Sequence, residues 1–147
     1  MLTRCVWALL LALSFSAGQD APRLSLRERA ENGDPEAQFN LGKNYEAGRG
    51  GLKKDYAEAE RWYLRAAEQG DPFAQASVAI LFRFGKGVAP DYVQAYRWFY
   101  LAASRTTGSD QESILELRDS TAARMTAAQL AEALRLAREW KPKPKTE

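Results

Sequence analysis

Carboxylates are the side chains this sequence supplies most freely for chemistry. Its nineteen aspartates and glutamates could in principle furnish an acid and base pair, which requires two carboxyl groups held in different environments. Glu58, Glu60, Glu68 and Glu132 are the candidates within regular segments, but they are spaced along polar helical faces and read as solvated surface charges. The chain has no histidine and a single cysteine, Cys5, so hydroxyl triads, thiol nucleophiles and zinc ligand sets lack their usual members. Two glycine turns, Arg49-Gly50-Gly51 and Gly85-Lys86-Gly87, lack the preceding strand and the Lys-Ser/Thr pair of a phosphate-cradling loop. They read as helix ends. These residues point to a chain that holds another molecule rather than transforms it, with no catalytic residue, cofactor or metal site assigned.

The elements that must position any such surface are written twice. Gly33, Asp34, Pro35, Ala37 and Gln38 recur as Gly70, Asp71, Pro72, Ala74 and Gln75, and Leu41, Tyr45, Gly48 and Gly50 recur as Val78, Phe82, Gly85 and Gly87. One extra residue in the first glycine turn then shortens the offset. Asp55, Tyr56, Ala59, Trp62, Tyr63, Ala66 and Ala67 return as Asp91, Tyr92, Ala95, Trp98, Phe99, Ala102 and Ala103. Insertions confined to turns are what stacked structural units tolerate.

Each copy predicts two helices. Asp34 and Asp71 are N-caps followed by a proline, whose missing N–H costs nothing in the first turn. The glycines at 48 and 85 end the first helix, and Asp55 with Glu58, or Asp91 with Gln94, has the spacing of a capping box that opens the second. Ala37, Leu41, Gly42 and Tyr45 share one face of the first helix; Ala59, Trp62, Tyr63, Ala66 and Ala67 cover a broad face of the second. Small residues allow close approach and rings fill the space beside them. Neither copy can bury such a stripe alone, so stacking must supply the core.

The pattern Ala-Gln-x-x-Leu-Gly-x-x-Tyr-x-x-Gly-x-Gly, followed by Asp-Tyr-x-x-Ala-x-x-Trp-Tyr-x-x-Ala-Ala, resembles the Sel1-like repeat, an α/α relative of the tetratricopeptide repeat. The likeness covers Gly33 to about Ser104. It implies an all-α fold, a short α/α solenoid of helical hairpins with helical caps. The expected divisions are repeats at 33–69 and 70–106, preceded by a 19–32 segment whose half-repeat helix opens on a Ser25 and Glu28 capping box. A capping pair of helices follows at 107–140. Its first helix, from about Gln111 to Arg124, should turn Ile114, Leu117, Thr121 and Met125 to one side; its second, opened by Thr126 and Gln129, should do the same with Leu130, Leu134 and Ala137. Residues 141–147 are expected to fray. Ala79 in place of Gly42 and an unusually apolar stretch from Ser77 to Phe84 depart from the pattern.

Residues 1–18 read differently. Arg4 precedes an apolar run from Val6 to Phe15, and Ser16, Ala17 and Gly18 follow, the order of a secretory signal peptide. The run is well short of the ~20 residues that span a bilayer. Cleavage would remove Cys5 and leave a thiol-free chain held by packing alone, with no disulfide framework. The formal charge is +2 before cleavage, which gives no electrostatic case for nucleic acid or an anionic membrane. A periplasmic or secreted location is expected, and the bacterial assignment follows from the resemblance.

Once the stacking positions are assigned, the first helices leave Phe39 and Lys43 in one copy and Phe73, Ile80 and Arg83 in the other on their opposite face. These are the candidate partner-binding residues: an apolar groove, edged by Lys43 and Arg83, for a protein or peptide segment. Packing of the same rings between neighbouring first helices is the competing reading. The resemblance implies a non-catalytic scaffold, with regulation of a cell-envelope partner as a special case. The alternative it implies is a β-lactam-binding or β-lactam-hydrolysing member, although those are rich in cysteine pairs that this chain lacks.

Overall fold

Residues 23–144 are described by the computed structural model, so the expected leader at 1–18 and residues 145–147 lie outside it. Among the described residues there are α1 (Leu26–Glu31), α2 (Pro35–Ala47), α3 (Tyr56–Glu68), α4 (Pro72–Phe84), α5 (Tyr92–Ala103), α6 (Gly108–Ala122) and α7 (Ala127–Glu139), and no strand. The protein is an all-α repeat solenoid, with hairpins α2–α3 and α4–α5 at its centre.

The local reasons are those read from the caps. Asp34 accepts the amide hydrogens of Glu36 and Ala37, and Asp71 that of Ala74 at 2.7 Å. Gly48 and Gly85 stop α2 and α4 with φ of 67° and 65°, a left-handed geometry open to glycine at little cost. The full capping box forms at Ser25 with Glu28 and at Thr126 with Gln129. At Asp55 and Asp91 the structure corrects the expectation, because only the aspartate half is made. Glu58 is taken by the Arg61 guanidinium and Gln94 accepts from Arg97, which leaves neither free to reach back.

Stacking supplies the core as the repeat requires. Tyr63, Trp98 and Phe99 are fully buried among Ala59, Ala66, Ala67, Ala95 and Ala102, and Trp62 closes a smaller cluster with Ala30, Ala37 and Leu41. Covering one such large side chain contributes about 1.5–3 kcal/mol. The alanines let the helix backbones approach closely enough for that cover to be complete.

A second device joins one hairpin to the next. The side-chain amide of Gln38 donates to the Ala30 carbonyl, that of Gln75 to Ala67, and that of Gln111 to Ala103, at 2.9–3.1 Å. Each acceptor lies in the last turn of the preceding helix, where carbonyls lack intrahelical partners. The third member shows that α6 occupies the place of a first helix in a third, divergent unit.

The C-terminal region departs from expectation in two respects, the bounds of α6 and the tail. Helix α6 starts at Gly108 and ends at Ala122, so Met125 falls beyond it. Of the face expected on α7, Ala137 is buried and Leu130 and Leu134 are half-buried; Ala133 is buried as well, and these small residues bring the backbone against α5. The tail is not loose from Lys141. Trp140 meets Trp98 edge-on at 6.3 Å, and the Lys143 amide and ammonium donate to the Glu68 carbonyl and carboxylate.

Candidate partner-binding groove

The first helices of the three units, α2, α4 and α6, turn one face each toward a shared groove of about 260 Å³. Helix α2 contributes Phe39; α4 contributes Phe73, Ala76, Ser77 and Ile80; α6 contributes Asp110, Ser113, Ile114 and Leu117. The spacing of three or four residues along α4 and α6 is what puts each set on one side of its helix. Three of the five sequence candidates, Phe39, Phe73 and Ile80, therefore meet here.

Both readings left open by the sequence describe part of this face. Phe39 lies 5.6 Å from the Tyr63 ring and 6.3 Å from Phe73, and with Ile80 it packs on the core. Phe73 itself remains 48% exposed. Lys43 does not line the groove: its ammonium lies 5.5 Å from the centre of the Phe39 ring, and it lines a separate hollow with Asn40, Asn44 and Glu46.

Arg83 is not a free edge. It donates to the Leu117 carbonyl and the Thr121 hydroxyl of α6, which draws it to the end of the groove. Its counterpart in the first unit is Glu46, and that residue does something else: it accepts the Tyr63 hydroxyl at 2.6 Å. Burial, then this hydrogen bond to a carboxylate, push the Tyr63 phenol well above its usual range. In the second unit Phe99 has no hydroxyl to offer, so the residue at that place is free to tie its hairpin to the next helix instead.

The α6 wall was missed in the sequence. The available signal was Gln111, eight residues after Ala103, the separation that Gln38 and Gln75 keep from Ala30 and Ala67. Placing α6 as a third first helix from that mark would have set Ser113, Ile114 and Leu117 opposite Phe73 and Ile80.

The carboxylates are occupied in other ways. Glu58 pairs with Arg61, Glu68 with Lys143, and Glu132 shares Arg135 with Glu139. Glu60, expected to be solvated, is half-buried, and burial raises its carboxyl above the usual carboxylate range. Among the described residues no group of histidine, cysteine or acidic side chains could hold a metal ion, and no helix is long and apolar enough to cross a membrane.

Repeated helical hairpins with an apolar face on their first helices define an α/α repeat scaffold. The chain belongs to the Sel1-like repeat family: the Sel1 repeat model matches residues 35–71 and 72–106. A crystal structure of a protective antigen present in uropathogenic Escherichia coli strains, described as having an SLR fold, superposes with a TM-score of 0.71 at 38% identity, over 78% of this chain and 24% of that one. A Sel1 repeat protein from Oxalobacter formigenes gives a TM-score of 0.51 at 28% identity, over 78% of this chain and 96% of that one. The chain is also similar to the ERAD-associated E3 ubiquitin-protein ligase component HRD3A of Arabidopsis thaliana, 31% identical over 52% of this chain. Localization factor PodJL of Caulobacter vibrioides is 52% identical over 29% of it. The matched regions span only 11% and 4% of those two relatives. Sel1 repeats are in general protein–protein interaction modules, which fits a scaffold without catalysis.

Proposed function

We propose that this protein is an exported, non-catalytic scaffold that holds an apolar segment of a protein partner in the groove between α2, α4 and α6. One observation carries the reading: Phe73 stays half exposed in a groove walled largely by Phe39, Ala76, Ile80, Ile114 and Leu117, whereas among the described residues the only other large ring so exposed is Phe84. Exposed apolar surface of this kind is costly unless something covers it. A helix laid by its apolar side, or an extended peptide, is the occupant such grooves take. Export is supported by the charged, apolar and small segments in residues 1–18, and it places the partner in the cell envelope or outside the cell.

The experiment compares the mature chain with Phe73→Asp and Ile80→Ser variants in a peptide-binding selection, with thermal melting of each. Phe73→Asp should melt within a few degrees of the parent and lose the selected peptides. If Phe73→Asp unfolds the chain, the ring is core and the groove reading fails. Incubation with labelled β-lactam tests the enzymatic alternative, and acylation or turnover would replace the scaffold reading.

A further inference from the structure

A second, separate hollow of about 260 Å³ is lined by Arg83, Phe84, Tyr92 and Arg124; Arg83 and Phe84 follow Ile80 by three and four positions on α4, and Arg83 donates to the carbonyl of Leu117, which lines the groove. No acidic side chain lines it. Arg83 and Arg124 are in no ion pair among the described residues, as is also true of Arg23, Arg49, Arg65, Arg97, Arg105 and Arg138; what sets the two apart is that both line one hollow. Like charges converge on one hollow without a counter-ion among the described residues.

The site is also held ready. Thr121 is fully buried and gives its hydroxyl to the Leu117 carbonyl, and both oxygens accept from one nitrogen of Arg83. The Nε of Arg83 is buried with no partner. Beside it, the Phe84 ring lies 5.2 Å from the guanidinium carbon and is 55% exposed. With one terminal nitrogen held by Leu117 and Thr121 and the Nε buried, the other terminal nitrogen is the donor left beside the uncovered ring, and it suits a carboxylate that carries apolar carbon. The opposite end of the groove carries Asp110 instead, so the groove has a negative and a positive end.

We infer that the segment occupying the groove bears a carboxylate at the end that meets Arg83 and Arg124, with an apolar side chain set against Phe84. This rests on the groove being the docking surface. From Phe73 to Phe84 helix α4 rises about 16 Å. A helical partner would therefore carry its acid about three turns from the apolar residue that covers Phe73.

The test is selection of an unbiased library of 12-residue peptides on the mature chain, followed by binding of the selected peptides to variants. Peptides with Asp or Glu enriched at one end and apolar residues along the rest are expected. Arg124→Gln, a change at an exposed side chain, should weaken them about tenfold, and raising NaCl from 50 to 500 mM should weaken them on the parent but little on the variant. Arg83→Gln, checked for folding by circular dichroism, should show the same loss. Apolar peptides without acidic enrichment, or equal binding to Arg124→Gln, would overturn the inference and leave the groove standing. Peptides that bind Phe73→Asp as well as the parent, or no peptide selected at all, would remove the groove reading itself.

Discussion

Gln75→Ala should be among the most damaging single changes to a polar residue in this protein. The side chain is fully buried; its amide donates to the Ala67 carbonyl at 3.1 Å, and its own oxygen accepts nothing. Losing one neutral hydrogen bond costs about 1 kcal/mol. The void left by a buried four-carbon-sized side chain adds about 2–3 kcal/mol, and removal of the unpartnered oxygen returns about 1. The net is about 2–3 kcal/mol, or a fall of roughly 10 °C in melting temperature for a chain of this size. Gln75→Met fills the space without the bond and should recover most of the loss. Gln111→Ala, at the half-buried third position, should cost about 1 kcal/mol. Urea unfolding followed by circular dichroism measures all three. If Gln75→Ala were no worse than Gln111→Ala, the glutamine bonds would not be joining one hairpin to the next.

The two aspartate caps should respond to pH with opposite sign. The Arg29 guanidinium, with the amides of Ala37 and Glu36, holds the Asp34 carboxyl below its usual range, so its contribution is present above about pH 4 and lost as pH falls through the lower folded value. Asp34→Asn should cost about 0.5 kcal/mol at pH 7, the part-exposed pair being screened, and nothing near pH 2. Burial raises the Asp71 carboxyl, so its contribution is favourable below about pH 4 and is lost as pH rises; Asp71→Asn, which still caps α4, should be at least as stable as the parent at pH 7. Tyr63→Phe should cost about 1–2 kcal/mol by releasing Glu46, measured by thermal melting beside Glu46→Gln. Trp140→Ala removes the edge contact to Trp98 and the Arg105 guanidinium stacked on its ring, and should cost about 2–3 kcal/mol while exposing the α5–α7 seam to faster hydrogen exchange.

What the sequence disclosed and what it hid separate by range. Asp34-Pro35, Gly48 and the alanine and tryptophan spacing act within a few residues, so the hairpins and their buried faces could be read directly. The divergent third unit could not, because α6 lacks the Gly-Asp-Pro start and keeps little of the pattern beyond Gln111 and Ile114. That concealed one wall of the groove. Arg83 was read as a rim charge because its partners, Leu117 and Thr121, lie more than thirty positions away. The tail was read as loose for the same reason: a Lys143 and Glu68 pair, seventy-five positions apart, leaves no periodic trace. Sharing of Glu58 and Gln94 with neighbouring arginines shows that even a local motif can be outbid by a charge three residues on.

The most direct measurement is the backbone amide spectrum of the isotope-labelled mature chain titrated with a selected peptide. Shifts concentrated at Phe39, Phe73, Ala76, Ile80, Ile114 and Leu117, and absent from the exposed side of α3, are the predicted result. Shifts gathered on α3 and α7 with the α4–α6 face unchanged would contradict the account.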